Sequence, residues 1–455
     1  MSRRLASAVL VLAVTGVVAQ DSARPGDAPD SATTIKGADL DLVRSVRIVG
    51  DRIAGLVQVE RAPSVVAVRA DEETRTAASA QRAQRLLPPA YAEARGRAWS
   101  DLGLGAGNEP RNLAATLSRD LPGMTFDAGA VRLLVDPRRL LPDAGLADPD
   151  VDPSASVLLA TGVTPDESVA GHYMAHALLD GARPEGPTTT DAMLARSALS
   201  EGSANLAALM FLFGGLGLES EVVSGALGPE DALEGRLVPE GMREASPVLR
   251  SMLEFVYLDG FAQASALARK GGFGRLTQER KVRLSTRDVL HVDRPPAAPG
   301  DLAAPAMPPS LGLSVGDRDT LGEQGIITLV SVLTGKDNLG LIAGDGWVAD
   351  ALWRFEGGGS SATIWVTRWL TDEDAKDFAY SIERSFTSRF PLDAPEDDAV
   401  RGGRVLRRAD RTYRIQKSGF EVVVTVAPAA IDAKLGPADK KKGPPPPAKS
   451  PKRLK

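Results

Sequence analysis

Three side chains of this 455-residue sequence have the types and spacing of a metal site. His172 and His176 are four residues apart, which on an α-helix places both imidazoles on one face, about 6 Å apart along the axis. Two imidazoles so spaced can both reach one metal ion. Glu201 is the only charged residue from Ser197 to Leu218, and a lone buried carboxylate is costly unless it is paired or binds a metal. We therefore expect these three residues to bind zinc, which usually takes three protein ligands and a water at catalytic positions.

A hydrolytic zinc site also needs a general base, and here that position holds a tyrosine. In the motif His-Glu-x-x-His, the glutamate after the first histidine deprotonates the zinc-bound water. The corresponding residue is Tyr173, and a phenol with a pKa near 10 is a poor base at neutral pH. Asp166 and Glu167 lie more than a helical turn from the site. Because general acid–base catalysis contributes about 10²–10⁴-fold, we expect feeble or no peptidase activity.

Local signals predict a helix for each part of this set. Thr164 stands three residues before Glu167 in a capping box, and Pro165 suits the first helical position. The continuation over 168–179 contains no Lys, Arg, Asp or Glu, which indicates a buried helix. A second helix, which carries the carboxylate, is expected over residues 190–213.

Each part of the set has a structural alternative. A lone His-x-x-x-His pair is more often satisfied by hydrogen bonds than by a metal. Glu201 by itself could pair with Arg196 or carry a proton. The occurrence of all three in two consecutive, nearly uncharged helices favours zinc. The third histidine, His291, stands near residues 294–296 (Arg-Pro-Pro), and we interpret it as a loop residue rather than a ligand.

Patterns elsewhere indicate a mixed chain. Residues 43–68 alternate enough to suggest strands, residues 72–87 suggest a helix, and residues 131–135 read as a buried strand. A third helix is expected over residues 247–270, where Gly271 would end it.

The last third of the chain has a different pattern. Residues 353–355 and 363–370 suggest a hairpin around Gly357-Gly358-Gly359. A helix should follow from Thr371 to about Phe386, and residues 412–426 suggest a second hairpin. This order of strand, strand, helix, strand and strand predicts a small α+β domain.

Composition excludes several classes of function. The sequence has no cysteine, which rules out disulfide scaffolds, thiolate zinc sites and cysteine nucleophiles. Its formal net charge of −5 argues against nucleic-acid binding, because nucleic-acid binders are typically basic over a whole domain. Any metal site must therefore use histidine and carboxylate ligands, and the sequence has only three histidines.

The N-terminus has the pattern of a secretory signal peptide. Arg3 and Arg4 precede an apolar run over residues 5–18, and the small residues 17–19 offer a cleavage site. The run is short for a membrane span of about 20 residues, although an uncleaved anchor is the alternative. We therefore expect export to the periplasm or the cell exterior, with no stable membrane span after cleavage.

The two central helices resemble those of a family of secreted bacterial zincins, which are zinc metallopeptidases. Residues 168–180 (Ser-Val-Ala-Gly-His-Tyr-Met-Ala-His-Ala-Leu-Leu-Asp) are similar to that family's His-Glu-x-x-His-Ala-Leu-x-Asp helix. Residues 198–204 (Ala-Leu-Ser-Glu-Gly-Ser-Ala) are similar to its Ala-Leu-x-Glu-Gly-x-Ala helix. Weaker similarities in the same order extend over most of residues 95–385.

The resemblance implies a fold and roles for individual residues. It places His172, His176 and Glu201 as the zinc ligands of a gluzincin-type site. Asp180 matches a recurrent aspartate of the family and would orient a ligand from behind. Tyr257 could stabilise an oxyanion in an active relative, although core packing is the simpler interpretation. The main departure, Tyr173, would make this chain a degenerate member of the family.

Taken together, the sequence predicts an α+β protein: a mainly helical zincin-like domain with a preceding small sheet, and a small α+β C-terminal domain. The expected segments are a signal peptide (1–19), a flexible leader (20–38), the zincin-like domain (39–300), the C-terminal domain (301–428) and a disordered Lys/Pro-rich tail (429–455).

Three functions remain open at this stage. The first is a catalytically degenerate zinc protein that serves as a binder or scaffold for a peptide or a cell-envelope component. The second is an active zinc-dependent peptidase with an unrecognised base. The third is a metal-free structural envelope protein in which the histidine pair only packs.

Overall fold

Helices dominate the chain up to residue 290, and a large sheet dominates the rest. The structure, a computed structural model, describes residues 35–435 with gaps. The gaps are residues 59–63, 119–120, 122, 128–129, 141–160, 181–188, 215, 218, 227–236, 240–241, 243, 297–299, 391–392, 394, 399–402 and 410. The predicted signal peptide, most of the predicted leader and the tail after residue 435 lie outside the described residues.

The first part of the chain combines helices with a small sheet. Its strands have the order β1-β2-β4-β3, with β1, β2 and β4 parallel and β3 antiparallel. The strands are β1 (Ile35–Lys36), β2 (Val65–Arg69), β3 (Met124–Asp127) and β4 (Arg132–Val135). The helices are α1 (Leu40–Val57), α2 (Glu72–Leu86), α3 (Pro89–Leu102), α4 (Glu109–Thr116), α5 (Pro165–Leu179), α6 (Thr190–Gly214), α7 (Glu219–Ser224), α8 (Pro247–Glu254), α9 (Gly260–Val282) and α10 (Thr286–Leu290).

The prediction of strands over residues 43–68 is wrong for most of that segment. Helix α1 covers it up to Val57, and among its described residues only those of β2 form a strand. The buried apolar residues of α1 recur every three or four positions, which is the helical period, and Asp39 caps its N-terminus. The leader is also shorter than expected, because Ile35–Lys36 pairs with β2.

The second part of the chain is built on a seven-stranded sheet with the order β5-β6-β7-β11-β10-β9-β8. All of its neighbouring strands are antiparallel. The strands are β5 (Ser314–Asp319), β6 (Trp347–Gly357), β7 (Ser360–Trp369), β8 (Glu396–Asp397), β9 (Arg404–Arg408), β10 (Arg411–Ser418) and β11 (Glu421–Pro428). The helices are α11 (Gly322–Thr334), α12 (Asp337–Gly344), α13 (Asp372–Arg389) and α14 (Ala429–Asp432).

Both predicted hairpins are confirmed in this sheet. Strands β6 and β7 turn at Gly358 and Gly359, which have φ values of 56° and 75° that favour glycine. Strands β10 and β11 form the second hairpin. The segment 429–435, which was expected to belong to a disordered tail, instead begins with α14, and Ile431 packs against the sheet.

One large apolar cluster extends through both parts. Buried side chains from α1 to β11 form one continuous cluster that includes Ile53, Leu206, Leu329 and Phe378. The two predicted domains therefore share a core. The chain is an α+β protein with a sheet-rich C-terminal region. Among the described residues, no helix has the length and apolarity needed to cross a bilayer.

A buried carboxylate organises the start of the C-terminal part. Asp350 accepts hydrogen bonds from the indole N–H groups of Trp347 (3.0 Å) and Trp365 (2.9 Å). It also accepts the backbone N–H groups of Leu321 and Gly322, both at 2.9 Å, at the beginning of α11. Four donors thus satisfy a charge that would otherwise be costly to bury.

Candidate metal centre

The two histidines of α5 face each other inside the protein. The predicted capping box of Thr164 and Glu167 is present, and α5 begins at Pro165 as expected. His172 is 1% exposed and His176 is 7% exposed, and their Nε2 atoms lie 3.0 Å apart. The spacing of four residues therefore brings both rings to one point on the helix face.

Glu201 of α6 reaches the same point. Its Oε2 atom lies 3.4 Å from Nε2 of His172 and 3.5 Å from Nε2 of His176. Its side chain is 14% exposed, so this corner of the cluster is the one closest to solvent. Within the described ranges, these are the only three His, Cys, Asp or Glu side chains placed so that they could hold one metal ion.

The outer nitrogen of each imidazole is held by a side-chain acceptor. Nδ1 of His172 donates to Oδ1 of Asn205 at 2.9 Å. Nδ1 of His176 donates to Oδ2 of Asp180 at 2.8 Å. Both imidazoles therefore carry a proton on Nδ1 and present the Nε2 lone pair inward, which is the tautomer that binds a metal.

Two more side chains support His176 from behind. The hydroxyl of Ser200 donates to Oδ2 of Asp180 at 2.8 Å and lies 3.1 Å from Nδ1 of His176. Arg280 of α9 forms an ion pair with the other oxygen of Asp180. The predicted orienting role of Asp180 thus has a geometric basis, since its carboxylate connects a cation to the imidazole.

The inner face of this cluster requires a positive charge. Two imidazole lone pairs and one carboxylate converge within 3.0–3.5 Å, so a proton or a cation must lie among them. Burial lowers the pKa of His172, and the neighbouring His176 lowers it further. For His176, burial is outweighed by the carboxylates of Glu201 and Asp180, which raise its pKa. For Glu201, burial is outweighed by His176 and His172, which hold its pKa well below its usual range.

Gly202 lets the helix that carries Glu201 cross another backbone. A Cβ atom at Gly202 would lie 2.1 Å from the carbonyl oxygen of Gly260, and a Cβ at Gly260 would lie 2.3 Å from the carbonyl oxygen of Ala198. Glycine at position 202 therefore permits a close approach of two backbones, and the approaching group is the first residue of α9.

This crossing places a π-helical turn beside the cluster. The turn, Phe255–Asp259, joins α8 to α9, and such turns often occur at functional sites. It carries Tyr257, which is buried. Burial raises the pKa of Tyr257 well above its ordinary value, and the charge of Glu201 raises it further. Tyr257 therefore remains a protonated hydrogen-bond donor next to the cluster.

Tyr173 occupies the position of the expected general base and is buried at 2% exposure. Its ring packs edge-on against His172, with the ring centroids 5.3 Å apart. Its hydroxyl accepts the backbone N–H of Leu121 at 2.7 Å. The side chain thus links α5 to the segment before β3, which is a structural contact.

Sequence reasoning missed three members of this site. Ser200 directly precedes Glu201, and Asn205 lies one helical turn after Glu201. The helical period could therefore have indicated that both side chains lie near the site. Arg280 is 100 residues from Asp180, and no local pattern indicates it. His291 lies outside the cluster, as expected, and its Nε2 pairs with Oε1 of Glu323 at 2.8 Å.

Comparison with known proteins yields a partial match. A family model with the description Domain of unknown function (DUF8575) matches residues 312–435. The match covers less than half of the chain and lies after the helices that carry the histidines and Glu201. No curated protein and no solved structure matches the chain. The relationship to zincins therefore stays a prediction.

Proposed function

We propose that this protein is a zincin-like zinc-binding protein that holds a ligand at its metal centre without hydrolysing it. The observation that carries the proposal is the convergence of two Nε2 atoms and one carboxylate oxygen, with both outer nitrogens already hydrogen-bonded. Such a donor set costs little to reorganise when a metal binds, because its tautomers and orientations are fixed beforehand.

The distances between the three ligand atoms are compatible with a tetrahedral zinc site. Ligand atoms at about 2.0–2.1 Å from a tetrahedral zinc ion are about 3.3–3.4 Å from one another. The atoms of His172, His176 and Glu201 are 3.0, 3.4 and 3.5 Å apart. Two imidazoles and one carboxylate also form a donor set that zinc accepts, whereas calcium and magnesium prefer oxygen alone.

Three protein ligands leave zinc one open position. Bound zinc would supply a Lewis acid there for an oxygen of an external ligand. Tyr257 would add a hydrogen-bond donor, because its hydroxyl stays protonated beside Glu201. A peptide or cell-envelope component with a carbonyl or carboxylate group has the required chemistry.

Among the residues that the structure describes, the groups nearest the centre are poor candidates for a general base, which argues against hydrolysis. Tyr173 is bound to the Leu121 backbone, and Tyr257 has a raised pKa. Asp180 lies on the outer side of His176. A general base must lie within hydrogen-bond reach of the water it activates, and none of these three groups meets both requirements of position and pKa.

Export is part of the same proposal. It depends on the signal-peptide pattern of the first 19 residues, which lie outside the described residues. A zinc-binding protein that meets envelope components would have to work in the periplasm or outside the cell.

Metal content of the purified full chain tests the centre. We expect one zinc per chain after zinc loading and gel filtration, measured by elemental mass spectrometry. His176→Ala should lose the zinc, whereas His291→Ala should keep it, since His291 pairs with Glu323 away from the site. A native chain without stoichiometric zinc, or a His176→Ala chain that retains it, would remove the proposed site.

A peptidase assay separates binding from hydrolysis. The native chain and Tyr173→Glu are incubated with a mixture of fluorogenic peptides, with and without a chelator. We expect no chelator-sensitive cleavage by the native chain. Zinc-dependent cleavage by the native chain at a rate similar to that of the glutamate variant would show an active peptidase instead.

A further inference from the structure

The N-terminus of the helix that carries Glu201 is capped by the C-terminal part of the chain. The backbone N–H of Thr190 donates to Oδ1 of Asp319 at 2.7 Å, and the Thr190 hydroxyl donates to Oδ2 at 2.7 Å. The next N–H, of Asp191, donates to the carbonyl of Thr320 at 2.9 Å. Two of the first free N–H groups of α6 are thus satisfied by residues more than 120 positions away.

Asp319 is held firmly for this role. It is 1% exposed and ends strand β5. The indole N–H of Trp99 donates to its Oδ2 at 3.3 Å, and Nε of Arg95 lies 3.4 Å from the same oxygen. A carboxylate at a helix N-terminus also interacts favourably with the helix dipole.

The helix that carries the histidines is anchored differently. Helix α5 has its own capping box, formed by Thr164 and Glu167, and it packs against α1, α6 and β3. Helix α6 packs against α10 and α11 in addition to α5. The C-terminal part therefore contacts the helix that carries Glu201 directly, through Asp319, Thr320 and α11.

We propose that Asp319 is a positioning residue through which the region of residues 312–435 sets the metal affinity of the centre. This inference rests on the proposed zinc function. Asp319 fixes the axial position of α6 and so the distance of Glu201 from the two histidines.

A helix transmits such a constraint over the required distance. Glu201 follows Thr190 by eleven residues, about 16 Å along the axis. The same helix carries Asn205 and Ser200, whose side chains contact the Nδ1 atoms of His172 and His176. Metal–ligand distances tolerate changes of only about 0.2 Å, so a small slip of α6 weakens three contacts together.

The coupling is reciprocal. If docking of the C-terminal part raises zinc affinity, zinc must strengthen that docking by the same factor. A partner that binds residues 312–435 and loosens the contact between Asp319 and Thr190 would then release zinc from a site it does not touch.

Zinc dissociation constants of folded variants test this inference. They are measured on the full chain by competition with a chromogenic chelator, and folding is checked by circular dichroism. Asp319→Ala should bind zinc about tenfold more weakly, and Asp319→Asn, which keeps an acceptor for Thr190, within about threefold of the native value. Arg97→Gln is the control. It breaks the ion pair between α3 and Glu356 of β6, which also joins the two parts of the chain but does not involve α6. It should leave the zinc dissociation constant unchanged.

The outcomes are distinguishable. Native affinity in a folded Asp319→Ala chain, or equal weakening in Arg97→Gln, overturns the coupling. If Asp319→Ala does not fold, Thr190→Val replaces it as the test. This variant loses only the contact of the Thr190 hydroxyl with Asp319, and it should bind zinc about threefold more weakly. Native zinc affinity in Thr190→Val would refute the coupling. Failure of the native chain to take up zinc would refute the proposed function itself.

Discussion

Replacing Gly202 by alanine tests the close crossing of α6 and α9. The new Cβ would lie 2.1 Å from the carbonyl oxygen of Gly260, where ordinary contact begins at 3.4 Å. The two backbones would therefore have to separate by about 1.3 Å, the difference of these two distances. The neighbours are main-chain atoms, which cannot rotate away as a side chain can.

The expected cost follows from two opposing effects. Alanine is favoured over glycine in a helix by about 1 kcal/mol. Overpacking of a tight core usually costs about 1–3 kcal/mol, and a backbone clash belongs at the upper end. We therefore expect Gly202→Ala to lower the free energy of unfolding by about 2 kcal/mol. Because Gly202 directly follows Glu201, we also expect weaker zinc binding.

Gly55 provides the matched control. It lies in the exposed part of α1, and nothing lies within 4 Å of a Cβ built there. Gly55→Ala should therefore stabilise the chain by about 0.5–1 kcal/mol. The measurement is a denaturant melt of both variants beside the native chain, at fixed pH and with zinc in excess. A Gly202→Ala chain as stable as Gly55→Ala would refute the crossing as described.

Three further predictions follow from the same contacts. Asp180→Asn should weaken zinc binding about 10–100-fold in a competition titration, because an amide orients His176 less well than a carboxylate. Burial raises the pKa of Asp191 to about 7. The native chain should therefore lose stability, relative to Asp191→Asn, as the pH rises from about 4 to 7. Denaturant melts at several pH values should show a change of up to about 4 kcal/mol in the difference between their free energies of unfolding. Tyr173→Phe should cost about 1–2 kcal/mol in a thermal melt, since it strands the buried N–H of Leu121, and an unchanged melting temperature would contradict this.

The three candidate metal ligands could be predicted from the sequence because their signals are local. A spacing of four residues fixes His172 and His176 on one helix face, and a lone Glu201 in an apolar helix calls for a partner. The partners of the outer nitrogens were harder to find. Arg280 reaches Asp180 only through the packing of α9 on α6, which no spacing rule contains.

The fold was predictable where turns and caps are explicit. The glycines at 357–359 and the capping threonines at 164 and 371 fixed a hairpin and two helix starts correctly. The segment 43–57 was misjudged, because a helix rich in Val and Ile has the composition of a strand and only its period shows the difference. The capping of α6 by Asp319 is a long-range contact, and a single sequence does not reveal it.

The positions of the tryptophans make intrinsic fluorescence a probe of one region of the protein. All five tryptophans lie on α3 or on strands β6 and β7, and none lies on α5 or α6. Trp99 donates to Asp319, while Trp347 and Trp365 donate to Asp350. Intrinsic fluorescence should therefore report on the contacts between the helices and the C-terminal sheet rather than on the bound ion itself. A change in emission on adding zinc would then mean that zinc binding at the histidines alters the contacts between the C-terminal sheet and the helices.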